Sequence, residues 1–243
     1  MTTVLKLGGS VITEKNRPEA IDRSALERAA ASIATIRDRV VVVHGGGSFG
    51  HHHAATHGVS TTDGTRDADA VRGIHGAMKR LNEVVVDALA DAGVGAVPVH
   101  PFSAASRSAD GALRLETHPE AAMLDEAFVP VLHGDTVVQT GAGATIVSGD
   151  ELVVELSAAM DADRVGVCSA VPGVYDVDGN VLDRIEAFDD VADAVGESNA
   201  TDVTGGMAGK VRELLSLDAP AYVFDIDGLD AFAEGRIAHP FDF

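Results

Sequence analysis

The apolar residues of this chain of 243 residues follow two alternating patterns. Short runs rich in β-branched residues are typical of strands, and longer stretches with an apolar residue every three or four positions are typical of helices. The run from Val40 to Val43 is apolar throughout, which indicates a strand buried on both faces of a parallel sheet. The pattern predicts strands at residues 3–7, 40–43, 95–99, 128–132, 144–147, 164–168 and 221–224.

Predicted helices separate several of these strands. The longest covers residues 67–92, where Ile74, Met78 and Leu81 recur at helical spacing, and Gly93 ends it. The other helices are predicted at residues 21–37, 151–160 and 206–217. This alternation predicts an α/β fold with an open, mainly parallel sheet sandwiched by helices (αβα).

The chain reads as one domain over residues 1–243, because no linker, repeat or low-complexity segment interrupts the pattern. Two functional halves remain an option within it, approximately residues 1–140 and 141–243. Their boundary would fall near residues 139–150.

The charge is strongly negative, with 38 acidic residues against 18 lysines and arginines and a net charge of −20. Such a surface argues against nucleic acid as a partner and against an anionic membrane face. Few lysines and few aromatic residues accompany it, which favours a halophilic protein from a cytosol of high salt. The alternative is an ordinary acidic protein.

The single cysteine, Cys168, excludes an intrachain disulfide and fits a reducing compartment. It follows an apolar run, so a buried thiol is favoured over a nucleophile. The start of the chain lacks the apolar core of a signal peptide, and no run of about 18 apolar residues predicts a membrane span. We therefore expect a cytoplasmic protein.

Three of the four lysines lie in or beside glycine-rich turns: Lys6, Lys15 and Lys210. Glycine turns with an ammonium nearby commonly hold phosphate groups. The first turn follows a predicted strand and consists of Lys6, Leu7, Gly8, Gly9 and Ser10. Taken alone, it is equally compatible with a plain connection from strand to helix.

The second glycine turn follows the predicted strand at 40–43. Its Gly45, Gly47 and Gly50 have the G-x-G-x-x-G spacing of dinucleotide-binding dehydrogenases, for which Asp67 or Asp69 would bind the ribose. That spacing is a weak signal by itself. Because an equivalent turn already follows the first strand, two phosphate-bearing groups held face to face are the favoured interpretation.

Histidines follow the second glycine turn at His51, His52, His53 and His57. A metal site is disfavoured, because adjacent residues seldom point the same way and no matching cysteines or carboxylates accompany them. We expect no metal ligands in the protein. His51, which closes the glycine loop, is better suited to donating a hydrogen bond to an anion.

Two later turns complete the set of candidate motifs. In the first, Ser148 and Gly149 precede Asp150, which either caps a helix or fixes the positions of two lysine ammoniums. In the second, residues 201–210 form a polar turn that opens a helix, with Lys210 one turn inside it. Taken alone, a chance lysine would explain this last motif.

In this order, the four motifs resemble those of the amino acid kinase family over almost the whole chain. Within the family, the segment ending at His51 and the sequence His133, Gly134 and Asp135 resemble isopentenyl phosphate kinases, and the acidic composition fits a haloarchaeal member. The resemblance implies transfer of phosphate from ATP, with Mg²⁺, to isopentenyl phosphate in an archaeal mevalonate pathway, by a homodimer. Another acceptor (fosfomycin, UMP or an amino acid) and a non-catalytic nucleotide sensor remain alternatives.

The resemblance also implies roles for individual residues. The half up to residue 140 would bind the acceptor, and the half from 141 would bind the nucleotide. Lys15 would follow the transferred phosphoryl group, and Asp150 would orient two lysines. The predicted ATP contacts are Lys6, Leu7, Gly8, Gly9, Ser10, Gly47, Ser169, Gly206 and Lys210. The predicted acceptor contacts are Gly46, His51 and Gly149.

One segment departs from the family pattern. Between Cys168 and Tyr175, many relatives carry an aspartate before the glycine, and this chain does not. The nucleoside contacts around this segment therefore stay open, apart from Ser169.

Overall fold

A parallel sheet forms the centre of the protein, whose computed structural model describes residues 1–182, 184–185, 187–195 and 206–236. Within these residues, six strands form this sheet in the order β10-β9-β1-β2-β6-β3. Its strands are β1 (Thr2–Leu7), β2 (Arg39–His44), β3 (Ala96–Pro98), β6 (Val129–His133), β9 (Arg164–Cys168) and β10 (Ala221–Phe224). Each neighbouring pair runs parallel, which confirms the predicted fold class.

A smaller sheet was not predicted. It contains β4 (Ala105–Arg107), β5 (Leu113–Leu115), β7 (Asp135–Gln139) and β8 (Gly143–Val147) in the order β5-β4-β7-β8. The strand predicted at 144–147 is therefore real but lies here, paired antiparallel with β7. Its apolar run is compatible with either sheet, so the sequence pattern alone could not assign it.

Helices cover both faces of the central sheet. They are α1 (Gly9–Ile12), α2 (Arg23–Ile33), α3 (Gly47–His57), α4 (Ala68–Asp91), α5 (Pro101–Ala104), α6 (His118–Asp125), α7 (Gly149–Ala159), α8 (Ala192–Val195), α9 (Gly206–Leu214) and α10 (Leu229–Ala233). The helix predicted at 21–37 is shorter at both ends, because Asp22 caps its start and it ends at Ile33. Helix α3 was not predicted, since glycines and histidines dominate its sequence.

Alternate residues of the strands pack on opposite faces of the central sheet. Val4 packs in the core beneath α7 and α9, whereas Leu5 and Leu7 pack in the core beneath α2 and α4. Lys6 follows Val4 by two positions and therefore points to the side of α7. In the described part of the chain, no helix is long and apolar enough to cross a membrane.

Candidate active site

A cavity of about 1020 Å³ opens where β1 and β2 end, at the carboxyl edge of the central sheet. This edge is where parallel α/β sheets bind their ligands. The residues that line the cavity include both glycine turns, three of the four lysines, the start of α7 and the residues after β9. The structure thus brings together motifs that lie more than 200 positions apart in the chain.

The two glycine turns touch each other across the gap between β1 and β2. A Cβ atom on Gly9 would lie 2.1 Å from the backbone nitrogen of Gly47, and one on Gly47 would lie 2.2 Å from Oγ1 of Thr13. Gly47 also has a φ of +48°, a region that side chains rarely adopt. Glycine is therefore required at these positions so that the two backbones can meet.

Asp150 connects two lysines at one end of the cavity. Its carboxylate accepts hydrogen bonds from Nζ of Lys210 at 3.1 and 3.3 Å and pairs with the ammonium of Lys6. Asp150 does not cap α7, because Ser148 is the capping residue and accepts from the backbone N–H of Glu151 at 3.0 Å. The carboxylate of Asp150 is therefore available to the two lysines. Of the two roles that the sequence left open for Asp150, this corresponds to fixing the positions of two ammoniums.

The charges of this group are coupled. Burial raises the pKa of Asp150, but Lys6 and Lys210 outweigh burial and lower it to about 2. Burial and the positive charge of Lys210 lower the pKa of Lys6 to about 8, although Asp150 acts in the opposite direction. One carboxylate shared by two ammoniums leaves net positive charge, which is suited to binding a polyanion.

The cavity lining also includes a cation, a histidine and an apolar wall. Lys15 and His51 are exposed and line the cavity. The apolar wall beyond them consists of Ala54, Ile74, Met78 and Ile146.

Glu19, four residues after Lys15, is hydrogen-bonded to two helices. The carboxylate of Glu19 accepts a hydrogen bond from Nε2 of His53 on α3 at 2.6 Å and one from Nη2 of Arg80 on α4 at 2.7 Å. The hydrogen bond from His53 lowers the pKa of Glu19, and Arg80 adds to this effect. His53 thus has a contact in the structure that its sequence position did not reveal.

Buried polar side chains of the β6–β7 region lie at and beside the cavity. Asp135 lines the cavity and accepts a hydrogen bond from Nδ1 of His75 at 2.8 Å. His133 and His44 stack at 5.6 Å between ring centroids. Burial lowers the pKa of His44 to about 4 and that of His133 well below its ordinary value, so both rings are neutral at physiological pH. His75 was missed in the sequence, because a histidine within a helical repeat resembles any polar surface residue.

Most of the predicted contacts line the cavity, namely Lys6, Gly8, Gly9, Ser10, Lys15, Gly46, Gly47, His51, Gly149, Asp150, Ser169 and Lys210. Leu7 has its side chain in the core, and its carbonyl accepts from the backbone N–H of Gly45 at 2.9 Å. Gly206 is the first residue of α9. The predicted turn at 201–205 lies outside the described residues.

The structure also places the residues behind two alternative interpretations. Asp67, considered as a ribose ligand, caps α4 and accepts from the backbone N–H of Asp69 at 2.9 Å. Within the described residues, no group of three or more histidines, cysteines or carboxylates could hold a metal ion.

Known proteins resemble this chain over most of its length. The model of the Amino acid kinase family matches residues 1–217. The isopentenyl phosphate kinase of Haloferax volcanii is 61% identical over 235 residues, which cover 96% of this chain and 95% of that protein. The one from Methanothermobacter thermautotrophicus is 38% identical, covering 88% and 86%. An X-ray structure of isopentenyl phosphate kinase superposes with a TM-score of 0.81 at 30% identity and covers 98% of both chains.

Proposed function

Because this chain belongs to the amino acid kinase family, and within it to the isopentenyl phosphate kinases, we propose that it transfers the γ-phosphoryl group of ATP to isopentenyl phosphate. The products are isopentenyl diphosphate and ADP. The observation that supports this most directly is one cavity with net positive charge between two glycine turns and an apolar wall beyond. A phosphate with a short hydrocarbon tail matches both features.

The donor binds at the end with Lys6, Asp150 and Lys210. The two ammoniums contact the β- and γ-phosphates, and Asp150 keeps both pointing into the cavity. Backbone N–H groups of the first glycine turn complete the phosphate site, because glycine lets the backbone approach an anion closely. Ser169, which lines the same cavity, contacts the nucleoside.

The acceptor phosphate binds at the second glycine turn, with Gly46, His51 and Gly149 as its contacts. Its second pKa lies near 6, so its attacking oxygen is ionised at neutral pH and no general base is needed. That oxygen forms a bond to the γ-phosphorus while the bond to the β-phosphate oxygen breaks. Lys15 stays with the transferred group because its ammonium sits on a flexible stem.

Mg²⁺ fits this site as an ion that arrives with the nucleotide. Both carboxylate oxygens of Asp150 lie close to lysine ammoniums, and no metal-binding cluster occurs in the described residues. Bound mainly through the phosphates of ATP, the ion would reduce their negative charge. The residues of the chain then align the donor and acceptor phosphates.

The acceptor and donor residues come mainly from different halves of the chain. Before residue 140, Lys15, His51 and Ile74 serve the acceptor, and after it Asp150 and Lys210 serve the donor. The turn at Lys6 crosses this division. Homodimer formation is a further proposal, and sedimentation of the purified protein measures it directly.

Incubation of the pure protein with ATP, Mg²⁺ and a panel of acceptors tests the proposed activity. We expect turnover with isopentenyl phosphate and much less with UMP, fosfomycin or amino acids. Preference for one of those acceptors would reject the assignment within the family. Binding of ATP without any turnover would instead indicate a nucleotide sensor.

Replacement of His51 tests the acceptor site. His51→Ala should raise the KM for isopentenyl phosphate or abolish turnover, while the affinity for ATP is retained. His57→Ala is the matched control, since His57 ends the same helix and does not line the cavity. Unchanged kinetics of His51→Ala would reject the role of this residue.

A further inference from the structure

Arg107 is a buried arginine that faces away from the catalytic cavity, and its side chain is only 6% exposed. Its guanidinium donates to Oε1 of Glu151 at 2.5 Å, to the carbonyl of Ile146 at 3.1 Å and to the carbonyl of Gly111 at 3.1 Å. These partners belong to α7, to β8 and to the turn between β4 and β5. One side chain therefore joins the small sheet to the start of α7.

The contact with Glu151 affects the segment that serves the active site. The other carboxylate oxygen of Glu151 accepts from the backbone N–H of Ser148 at 2.8 Å and so closes the capping box of α7. Gly149 and Asp150 lie between these two residues in the chain. A shift of Glu151 therefore shifts the backbone that presents Asp150 to Lys6.

Arg107 also balances a group of carboxylates. A second cavity, of about 210 Å³, is lined by Glu151, Glu155 and Glu213, and among its lining residues Arg107 supplies the positive charge. Burial and the negative charge of Glu151 raise the pKa of Glu155, which Arg107 opposes. Without Arg107, Glu151 and Glu155 would face each other behind α7 with no compensating charge, and their repulsion would act on the same helix start.

We propose that Arg107 is a positioning residue for phosphoryl transfer, acting through Glu151 to hold Asp150 against Lys6 and Lys210. This inference rests on the proposed function for its kinetic consequence. Its structural consequence, the charge state of Lys6, is independent of the acceptor. Because Asp150 raises the pKa of Lys6, a displaced Asp150 must lower it.

Arg107→Lys is the primary variant, since lysine keeps the charge but lacks the planar fork that reaches three oxygens. The control is Arg164→Lys at the amino end of β9. Arg164 is similarly buried, at 12% exposure, and its Nη1 donates to the carbonyl of Phe232 at 2.8 Å, far from the cavity. Both variants lose comparable contacts, so a merely structural role predicts equal effects.

Three quantities are measured for each variant: the midpoint of thermal unfolding, the pKa of Lys6 from NMR of ¹³C-methylated lysines, and the kinetic constants for ATP. We expect kcat of Arg107→Lys to fall about tenfold or more, since small displacements of catalytic groups have large effects on rate. We also expect a lower pKa of Lys6. Arg164→Lys should keep both values even where its unfolding midpoint falls.

Should Arg107→Lys fail to fold, the double variant Arg107→Met with Glu151→Gln replaces it, because it removes both charges of the ion pair together and glutamine preserves the capping box. Wild-type kcat and Lys6 pKa in either folded variant would overturn the proposal, as would equal losses in Arg164→Lys. If wild type does not phosphorylate isopentenyl phosphate while the Lys6 pKa still responds to Arg107, the proposed function fails and the positioning role stands.

Discussion

Replacing Asp150 by asparagine should reduce the positive charge of Lys6 at neutral pH. Burial and the neighbouring Lys210 lower the pKa of Lys6 to about 8, and Asp150 is the group that opposes both effects most strongly. Asparagine keeps the shape of the side chain but not its negative charge. The buried ammonium of Lys6 would then face Lys210 without compensation.

The size of the effect follows from the contact between Asp150 and Lys6. An opposite charge at this range changes a pKa by about 1 to 3 pH units, so Lys6 of the variant should titrate at about 5 to 7. At pH 7.5 its protonated fraction falls from about three quarters to about one quarter or less. A lost hydrogen bond from a charged donor corresponds to about 1.5–3 kcal/mol, so kcat/KM for ATP should fall by about 10- to 150-fold.

Titration by NMR after reductive methylation with ¹³C measures this pKa directly, because only four lysines and the N-terminal amine contribute signals. Lys210→Met is the opposing control, since removing that positive charge must raise the pKa of Lys6. The wild-type protein should also show a pH dependence in one direction. Lys6 loses its proton as the pH rises through about 8, so kcat/KM for ATP should decline above that pH. A Lys6 pKa that rises in Asp150→Asn, or falls in Lys210→Met, would refute the reasoning.

Three further outcomes follow from other contacts. Gly9→Ala should abolish ATP binding in calorimetry, because its Cβ would meet the backbone of Gly47 at 2.1 Å; retained affinity would contradict this close approach. Glu19→Gln should speed tryptic cleavage after Lys15 and lower kcat up to about fivefold, since exposed ion pairs contribute about 0–1 kcal/mol. An unchanged cleavage rate would contradict the restraint of the Lys15 segment by Glu19. Burial raises the pKa of Cys168 to about 12, so thiol reagents at pH 8 should label only the unfolded protein, and rapid labelling of the native protein would contradict its burial.

The central sheet was predictable because its signal is local. Strands β9 and β10 have the predicted boundaries, and the long helix α4 differs by one residue at each end. Periodicity reports which residues are buried, and it needs no knowledge of the partner that buries them. The same limitation explains why the pattern could not assign β8 to either sheet.

Much of the candidate site was also predictable from the sequence. Glycine turns after strands indicated residues that line the cavity, and the scarcity of lysine directed attention to Lys6, Lys15 and Lys210, which line it too. The alternative roles of Asp150 could not be separated in this way. Capping by Ser148 became visible only in the backbone geometry of α7.

By itself, the sequence determined the strands of the central sheet, the long helix α4, the two glycine turns and the residues able to place charge in them, since these depend on local spacing and backbone freedom. Only the tertiary structure decided which charges meet. Lys6 and Asp150 are 144 positions apart, and Glu151 of α7 pairs with Arg107 of the smaller sheet. Such contacts arise when α7 packs against β1 and the smaller sheet packs beside α7. The spacing of residues along the chain does not reveal that packing.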